Sequence, residues 1–270
     1  MKKILSLAVV GMLPVLSQAQ LLLNEPFDYP DGALTNVSSS WLWHSGSGGP
    51  DHTLNVIGGR AFINQNDVAS GHDDYNRLLS SSFDPSIDNS STLFAAFTVN
   101  FSALPSNSGT SVNGSYFAHF KTSASSEFVN RIGATTDGAA SGFFRIGIGN
   151  EAAFSSANPT FYPLDLSLDT TYLIVTRLDL ATDSSTLWIN PLSVGDQSVT
   201  ANDTIAFSGV INAFALRQGT SGSSGNIGAP GDIYLDDLRI GESFLSVIPE
   251  PSSFALLGLG VATWLIRRRR

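Results

Sequence analysis

Apolar and polar residues alternate along the middle of this chain, and this alternation limits the fold more than any other feature. Between residues 92 and 101 the apolar positions of one parity are Leu93, Ala95, Phe97, Val99 and Phe101. A period of two is typical of a β-strand with one face in a core. Between the two chain ends no stretch shows the 3.6-residue period of an amphipathic helix. The pattern therefore predicts an all-β body.

Shorter segments repeat this pattern and are separated by turn residues. The candidate strands are 54–57, 60–63, 92–101, 116–120, 142–149, 171–180, 186–189, 210–216 and 233–240. Glycine, serine and aspartate fill intervals such as Gly58-Gly59 and Asp183-Ser184, and these residue types favour turns. Many short strands with such turns indicate a β-sandwich or barrel. Residues 20–247 have an ordinary length for one such domain.

Charge and cysteine content exclude several classes of function. Six of the 14 Lys and Arg residues lie in the two end segments, so the body has eight basic residues against 22 acidic ones, a net charge of −14. Such a body repels polyphosphate, which excludes nucleic-acid binding. The absence of cysteine excludes disulfides, thiolate metal sites and a cysteine nucleophile.

The first 19 residues have the three parts of a secretory signal peptide. Lys2 and Lys3 precede the apolar stretch 4–16, and Ser17-Gln18-Ala19 forms a small-x-small cleavage site. We expect signal peptidase to cut between Ala19 and Gln20 after export across the inner membrane by the secretion machinery. A buried amphipathic helix is disfavoured because the stretch has no polar face.

The last 23 residues, 248–270, have an equally distinct order. A Pro-Glu-Pro motif within 248–251 is followed by the apolar run 254–266. The motif residues and the terminal cations are Pro249, Glu250, Pro251, Arg267, Arg268, Arg269 and Arg270. The prolines prevent a helix from continuing through the motif, and the run predicts a short transmembrane helix with its arginines on the cytoplasmic side. The run is shorter than the roughly 20 residues that span a bilayer comfortably.

This order of parts resembles the PEP-CTERM sorting signal of Gram-negative bacteria. The resemblance implies recognition by an exosortase-type membrane protease while the protein is transiently anchored in the membrane. Removal of the tail and then release or attachment at the cell surface would follow. Such proteins are commonly associated with exopolysaccharide. A plain C-terminal membrane anchor is the alternative.

The two ends of the body carry a second resemblance. The opening 24–32 (NEPFDYPDG), followed by Trp41 and Trp43, and the closing 233–241 (IYLDDLRIG) resemble concanavalin-A-like and laminin-G-like jelly rolls. The resemblance implies a two-sheet antiparallel jelly-roll sandwich over 20–247, with the last strand paired beside the first. Its relatives often bind glycans and sometimes Ca²⁺.

Two sets of side chains are candidates for a binding site. Aromatic faces stack on sugar rings, and the candidates are Trp41, Trp43, Tyr75 and Trp188; the alternative is that they pack in the core. Carboxylates bind Ca²⁺, and the candidates are Asp28, Asp31, Asp232 and Asp236; the alternative is that they stabilise turns. His72-Asp73-Asp74 is a further cluster of metal-ligand types, or a solvated loop.

No sequence motif indicates an enzyme. The four glutamates of the body are Glu25, Glu127, Glu151 and Glu242, and none sits in a catalytic glycosidase pattern. Nucleophile elbows, zinc-protease helices and phosphate-binding loops are also missing. We therefore expect a non-enzymatic, exosortase-sorted surface or exopolysaccharide-matrix protein that binds glycans and needs no cofactor. The alternatives are a structural matrix or adhesion protein without a small-ligand site, and a polysaccharide-active enzyme.

Overall fold

The computed structural model describes residues 21–46, 53–64, 73–88, 91–106, 115–123, 127–151, 159–203, 208–218 and 230–248. The predicted signal peptide with its cleavage site, and the tail from Pro249 onwards, lie outside these ranges. In the described ranges, no helix has the length and apolar character needed to span a bilayer.

The described residues form strands almost throughout. In chain order the elements are β1 (Leu21–Glu25), β2 (Gly32–Ala33), α1 (Leu34–Val37), β3 (Trp41–Ser45), β4 (Asn55–Val56), β5 (Ala61–Ile63), β6 (Asp74–Phe83), β7 (Thr92–Ala103), β8 (Ser115–Thr122), β9 (Phe128–Thr135), β10 (Phe143–Gly149), β11 (Thr160–Phe161), β12 (Leu166–Ser167), β13 (Thr171–Asp179), β14 (Ser184–Ile189), β15 (Val199–Thr200), β16 (Ile211–Leu216), β17 (Asp232–Gly241) and α2 (Phe244–Val247).

These strands form two antiparallel sheets, which confirms the predicted all-β sandwich. Among the described residues, sheet A has the strand order β15-β14-β13-β7-β17-β5-β4-β2, with β1 also beside β17. Sheet B has the order β11-β10-β9-β8-β16-β6-β3, with β12 also beside β10. Strands that are neighbours in a sheet are often distant in sequence, as in β7 and β17.

Phenylalanine side chains from both sheets fill the space between them. Phe97 and Phe101 of sheet A meet Phe117 of sheet B edge to face, with ring centroids 6.4 and 6.0 Å apart. Phe101 also lies 4.1 Å from the ring of Phe144. All four rings are fully buried, and burying a side chain of this kind contributes about 1.5–3 kcal/mol to folding. This core fixes which face of each strand points inward.

The first and last strands of the body are paired, as the resemblance implied. Leu21 of β1 lies opposite Gly241 of β17, and Glu25 lies opposite Leu238. The other half of the same β17 edge pairs with β5. Between the two halves β17 has an irregularity where Asp237 adopts a positive φ of 53°. The body therefore begins and ends on neighbouring strands.

The short helix α2 covers part of the outer face of sheet A. Phe244 and Val247 are buried there and pack on Trp188, whose ring centroid is 6.2 Å from that of Phe244. The Ser243 hydroxyl caps the helix by accepting a hydrogen bond from the Ser246 amide. Leu21 packs against the same apolar cluster, so both ends of the described body meet at one corner.

Candidate functional site

The four aromatic residues expected to bind sugars do not form one exposed face. Trp41, Tyr75 and Trp188 are only 1%, 3% and 2% exposed, whereas Trp43 is 52% exposed. Trp41 and Trp43 lie two residues apart on β3, but Trp41 is in the core, and Trp43 lies beside Tyr75 near the end of this edge strand. Three of the four therefore have the packing role that was the alternative expectation.

Trp41 has a defined structural partner in the opening segment of the body. Its ring stacks on Phe27 at 5.6 Å, and its indole N–H donates to the fully buried carboxylate of Glu25. The same carboxylate accepts hydrogen bonds from the Phe27 amide and the Tyr29 hydroxyl, and it forms an ion pair with Arg77. The NEPFDYPDG segment thus binds sheet A to sheet B.

Two of the four predicted Ca²⁺ ligands already accept backbone hydrogen bonds, and the charge of a third, Asp28, acts on Asp236. Asp31 accepts a hydrogen bond from the Gly58 amide at 2.7 Å, and Asp236 accepts one from the Asp237 amide. Burial is the main cause that raises the pKa of Asp236. Within the described ranges, no group of three or more acidic or histidine side chains is placed to hold a metal ion. In the other cluster, His72 lies outside the described residues, and the Asp73 carboxylate accepts a hydrogen bond from the Tyr75 hydroxyl.

The outer face of sheet B carries a concentration of basic side chains that sequence reasoning missed. Core residues alternate along its strands with outward residues, as in Phe144, Ile146 and Ile148 of β10. Four of the eight basic residues of the body are at outward positions or directly follow a strand of this sheet. They are Lys121, Arg131, Arg145 and Arg217.

The guanidinium groups of two of these cations lie over the ring of Tyr116. The Arg217 guanidinium is 4.4 Å from the centre of the tyrosine ring, and the Arg131 guanidinium is 5.2 Å from it. Arg217 is held by hydrogen bonds to the Ser115 hydroxyl at 2.8 Å and to the Tyr116 carbonyl. Arg131 donates to the Phe128 carbonyl at 2.9 Å. Both guanidinium groups are thereby fixed in place beside an aromatic ring.

His119 lies beneath this arrangement and has no exposed surface. Its ring contacts those of Phe128, Tyr116 and His44 at centroid distances of 4.6, 5.4 and 6.1 Å. Neither ring nitrogen of His119 has a hydrogen-bond partner, and the same is true of His44. Buried polar atoms are nearly always paired, so these nitrogens, which no protein group pairs, are candidates to contact a ligand. We call Tyr116, His119, Phe128, Arg131 and Arg217 the outer-face cluster.

The electrostatic field at His119 is positive. Burial is the main cause that holds the pKa of His119 well below its ordinary value, and His44, Arg131, Arg217 and Lys121 all lower it further. Burial and Lys121 also lower the pKa of His44 to about 4. Both imidazoles are therefore neutral at pH 7, with one N–H donor each.

A groove of about 520 Å³ lies at the side of the sandwich, between the edges of the two sheets. Its walls include Leu21 and Leu23 of β1, Leu42 of β3 and Leu78 of β6. Leu42 and Leu78 are 46% and 54% exposed, and Ser39, Ser40 and Ser80 add hydroxyl groups. The charged group on its wall, Arg77, is paired with Glu25. The groove therefore offers apolar contact and hydroxyl hydrogen bonding more than charge recognition.

The end of the chain matches a known protein-sorting motif. A family model described as the PEP-CTERM protein-sorting motif matches residues 247–270. The chain ends in a PEP-CTERM sorting signal. The PEP-CTERM signal implies export, sorting to the cell surface or extracellular space, and processing by exosortase, a membrane protease. Val247 and Ile248, the first residues of the match, pack on the apolar cluster under α2.

The chain is similar to several solved structures at low sequence identity. The CBM2 module of the evolved Dit protein of Lactobacillus casei BL23 phage J-1 is 10% identical, with a TM-score of 0.48 over 83% of this chain and 96% of that one. The endo-1,3-beta-glucanase from Streptomyces sioyaensis is 12% identical, with a TM-score of 0.46 over 86% and 98%.

Lectin I-B4 from Griffonia simplicifolia is 11% identical, with a TM-score of 0.44 over 80% of this chain and 97% of that one. No curated protein matches the chain in sequence.

Proposed function

We propose that this protein is an exported, surface-sorted module that binds a glycan on the outer face of sheet B without cleaving it. The observation that carries the proposal is the outer-face cluster. It combines aromatic rings, fixed guanidinium donors and buried imidazole nitrogens that have no partner. Binding sites are commonly built from apolar or aromatic surface with a few fixed polar groups.

The chemistry of the cluster suits a sugar. Tyr116 and Phe128 are both half-buried, and the exposed part of each ring offers apolar contact for the C–H surface of a pyranose. Arg131 and Arg217 offer N–H donors for hydroxyl and ring oxygens. These groups come from β8, β9 and the residue after β16, which are neighbouring strands of sheet B. A chain of several sugar units would therefore contact more than one strand.

Two carboxylates near the cluster, Glu127 and Asp74, already have structural partners. Glu127 accepts hydrogen bonds from the Gly209 amide at 2.7 Å and the Ser208 hydroxyl. Asp74 accepts one from the Gln218 amide and lies 3.9 Å from Arg217. Hydrolysis of a glycoside needs a free acid and a free base or nucleophile on either side of the bond. These two carboxylates are used to hold loops, which supports binding without catalysis.

One observation favours a second candidate, a polysaccharide-active enzyme. The Oε2 atom of Glu151 is buried without a hydrogen-bond partner, and burial, followed by the charge of Glu127, raises the pKa of Glu151. A carboxyl group with a raised pKa is suited to act as a general acid. Release of reducing ends from a polysaccharide, lost in Glu151→Gln, would establish this alternative in place of simple binding.

Binding is best tested with the exported protein purified from its own producer, on a glycan array and on the producer's exopolysaccharide. Tyr116→Ala should weaken binding at least tenfold, because the ring is the centre of the cluster. The matched control is Tyr234→Ala. Tyr234 lies on the outer face of sheet A with Arg60 at 4.2 Å from its ring centre, so it carries the same kind of pair on the other side of the body.

The outcomes separate the candidates. Loss of binding in Tyr116→Ala with unchanged binding in Tyr234→Ala supports the proposal. Absence of binding to every glycan, including the native exopolysaccharide, would overturn it in favour of a structural matrix or adhesion role. Equal losses in both variants would place the ligand elsewhere than the outer-face cluster.

A further inference from the structure

We infer that the glycan bound by the outer-face cluster is acidic, and that the cluster receives one of its carboxylate groups above His119. The inference rests on the proposed function for the presence of a glycan, and it adds the charge of the ligand and the place where that charge is bound.

The distribution of charge supports an anionic ligand. The body as a whole has a net charge of −14, yet Lys121, Arg131 and Arg217 all act on the same buried imidazole. A local positive field on an acidic body attracts anions to one place and leaves the remaining surface repulsive to them. A soluble anion would therefore be concentrated at this part of sheet B.

The three cations are held in position by hydrogen bonds to uncharged groups, and the charges of Glu151 and Asp203 act on Arg131 without a close ion pair. Among the described residues, neither Lys121 nor Arg131 has a carboxylate oxygen within 4 Å, and Arg217 reaches Asp74 only at 3.9 Å. Within the described ranges their hydrogen bonds go to backbone carbonyls and a hydroxyl, as in Lys121 to the Thr122 carbonyl at 3.1 Å. Burial raises the pKa of Asp74 to about 6, so this carboxyl group is still mostly ionised at pH 7 and offsets part of the charge of Arg217 alone.

His119 distinguishes an anion from a metal ion. Unpaired imidazole nitrogens can bind a metal cation or can donate an N–H to an oxygen. A cation at this position would be repelled by Lys121, Arg131 and Arg217, whereas a carboxylate would be attracted by all three and would accept the N–H of His119. The missing hydrogen-bond partner of His119 is therefore best supplied by an oxyanion.

A carboxylate fits two guanidinium groups better than the other anions that sugars carry. It is planar and accepts paired N–H bonds from arginine. The guanidinium groups of Arg131 and Arg217 both lie over the ring of Tyr116. Sulfate esters share the negative charge but not the planar geometry. We therefore assign the ligand to glycans built from uronic acids.

His44 lies over this position in the structure. Its ring is 6.1 Å from both His119 and Phe128, and it belongs to β3, the edge strand of sheet B. A carboxylate that reaches His119 must displace this ring. Removing the ring in His44→Ala should consequently strengthen binding of an acidic glycan, whereas removing a binding residue should weaken it.

The decisive experiment compares one polymer with and without its charge. Binding of the full exported protein is measured by calorimetry with three polymers. They are polygalacturonate, the same polymer after its carboxyl groups have been reduced to alcohols, and a glucan whose charge comes from sulfate esters alone. We expect polygalacturonate to bind at least tenfold more tightly than the reduced polymer. Arg217→Gln should remove that preference, His44→Ala should increase it, and the control Arg60→Gln should leave it unchanged.

Other results overturn specific parts. Equal binding of the charged and reduced polymers, both lost in Tyr116→Ala, would leave the proposed glycan-binding function standing and refute the acidic ligand. Binding of the sulfated glucan alone would refute the carboxylate assignment. Binding of none of the polymers, together with an empty glycan array, would refute the proposed function itself.

Discussion

The indole Nε1 of Trp41 donates a hydrogen bond of 2.9 Å to the buried Oε2 of Glu25. This contact joins an edge strand of sheet B to the first strand of sheet A. It also shows why the opening segment contains a glutamate, because that fully buried carboxylate is the acceptor for several donors.

Replacing Glu25 should be one of the most destabilising single changes in the body. Glu25→Gln removes the charge that faces Arg77 and turns half of the acceptor into a donor that faces other donors. Breaking a buried ion pair from one side costs about 3–5 kcal/mol, to be measured by urea unfolding. In a double-mutant cycle, Arg77→Met should recover part of this loss when combined with Glu25→Gln. A cost below about 1 kcal/mol for Glu25→Gln would contradict the buried pairing.

Asp74 should make the fold less stable as the pH rises. Its pKa in the fold is about 6 against an ordinary 3.8 because of burial, so the stability linked to its neutral form is complete below pH 3.8 and is lost as the pH rises through 6. Asp74→Asn stays neutral and keeps an acceptor for Gln218. At pH 7.5 its free energy of unfolding, measured with urea, should exceed that of the parent protein by about 1–3 kcal/mol. At pH 3.5 the two proteins should be equally stable.

A surface aspartate supplies the control of opposite sign. Asp196 accepts hydrogen bonds from the amides of Leu192 and Ser193, and these bonds lower its pKa. Its contribution to stability is present at neutral pH and is lost as the pH falls. Asp196→Asn should therefore destabilise the protein at pH 7.5 and have less effect in acid. A pH dependence of the same sign for both variants would contradict the assignment for Asp74.

The apolar cluster under α2 should contribute to stability by packing α2 on sheet A. Phe244 is 7% exposed and Leu245 is 81% exposed, so the two neighbours form a matched pair for truncation. Phe244→Ala should cost about 2–4 kcal/mol in thermal or urea unfolding, and Leu245→Ala should cost less than about 0.5 kcal/mol. Similar effects from both would show that α2 does not pack as described.

Gly147 is needed for the close approach of Phe161. A Cβ at position 147 would lie 2.6 Å from Cδ1 of Phe161 and 3.0 Å from the Thr160 carbonyl. Gly147→Ala should destabilise the protein by about 1–3 kcal/mol, and part of that cost should disappear when Phe161→Ala is added. Gly195→Ala meets only ordinary contacts and serves as the control. A full cost that persists in the double variant would locate the strain in the backbone instead.

The sequence predicted strands best where the period of two is uninterrupted. Strands β7 and β13, which pair residue by residue from Thr92 and Asp179 to Asn100 and Thr171, were both expected from their alternation. Strand β9 was not expected, because Asn130 at a φ of 55° inserts an extra residue. As a result, Val129 and Ile132 both lie in the core although they are three residues apart. In β6 the pairing with β16 likewise shifts between Leu78 and Phe83.

The candidate site was harder to predict, for two physical reasons. Periodicity gives the parity of a residue but not the side of the sheet that the parity faces, nor how far along an edge strand the core extends. Trp41 and Trp43 share a parity and still differ by half their surface in exposure. The outer-face cluster joins side chains that are about 100 residues apart, such as Tyr116 and Arg217, through the order of strands in sheet B. The usable signal was the small number of cations in an acidic body.

The central position of β17 has a mechanical consequence. Its hydrogen bonds run to β7 on one side and to β1 and β5 on the other, and its C-terminal end leads through α2 to the sorting signal at Ile248. Hydrogen bonds between antiparallel strands lie perpendicular to the strands, so tension along β17 would load many of them together in shear. A pull between a bound polymer and a surface attachment would first lift α2 and would then meet a strand that resists extraction. Under such a pull the body would yield first at α2 and would then resist through the hydrogen bonds of β17.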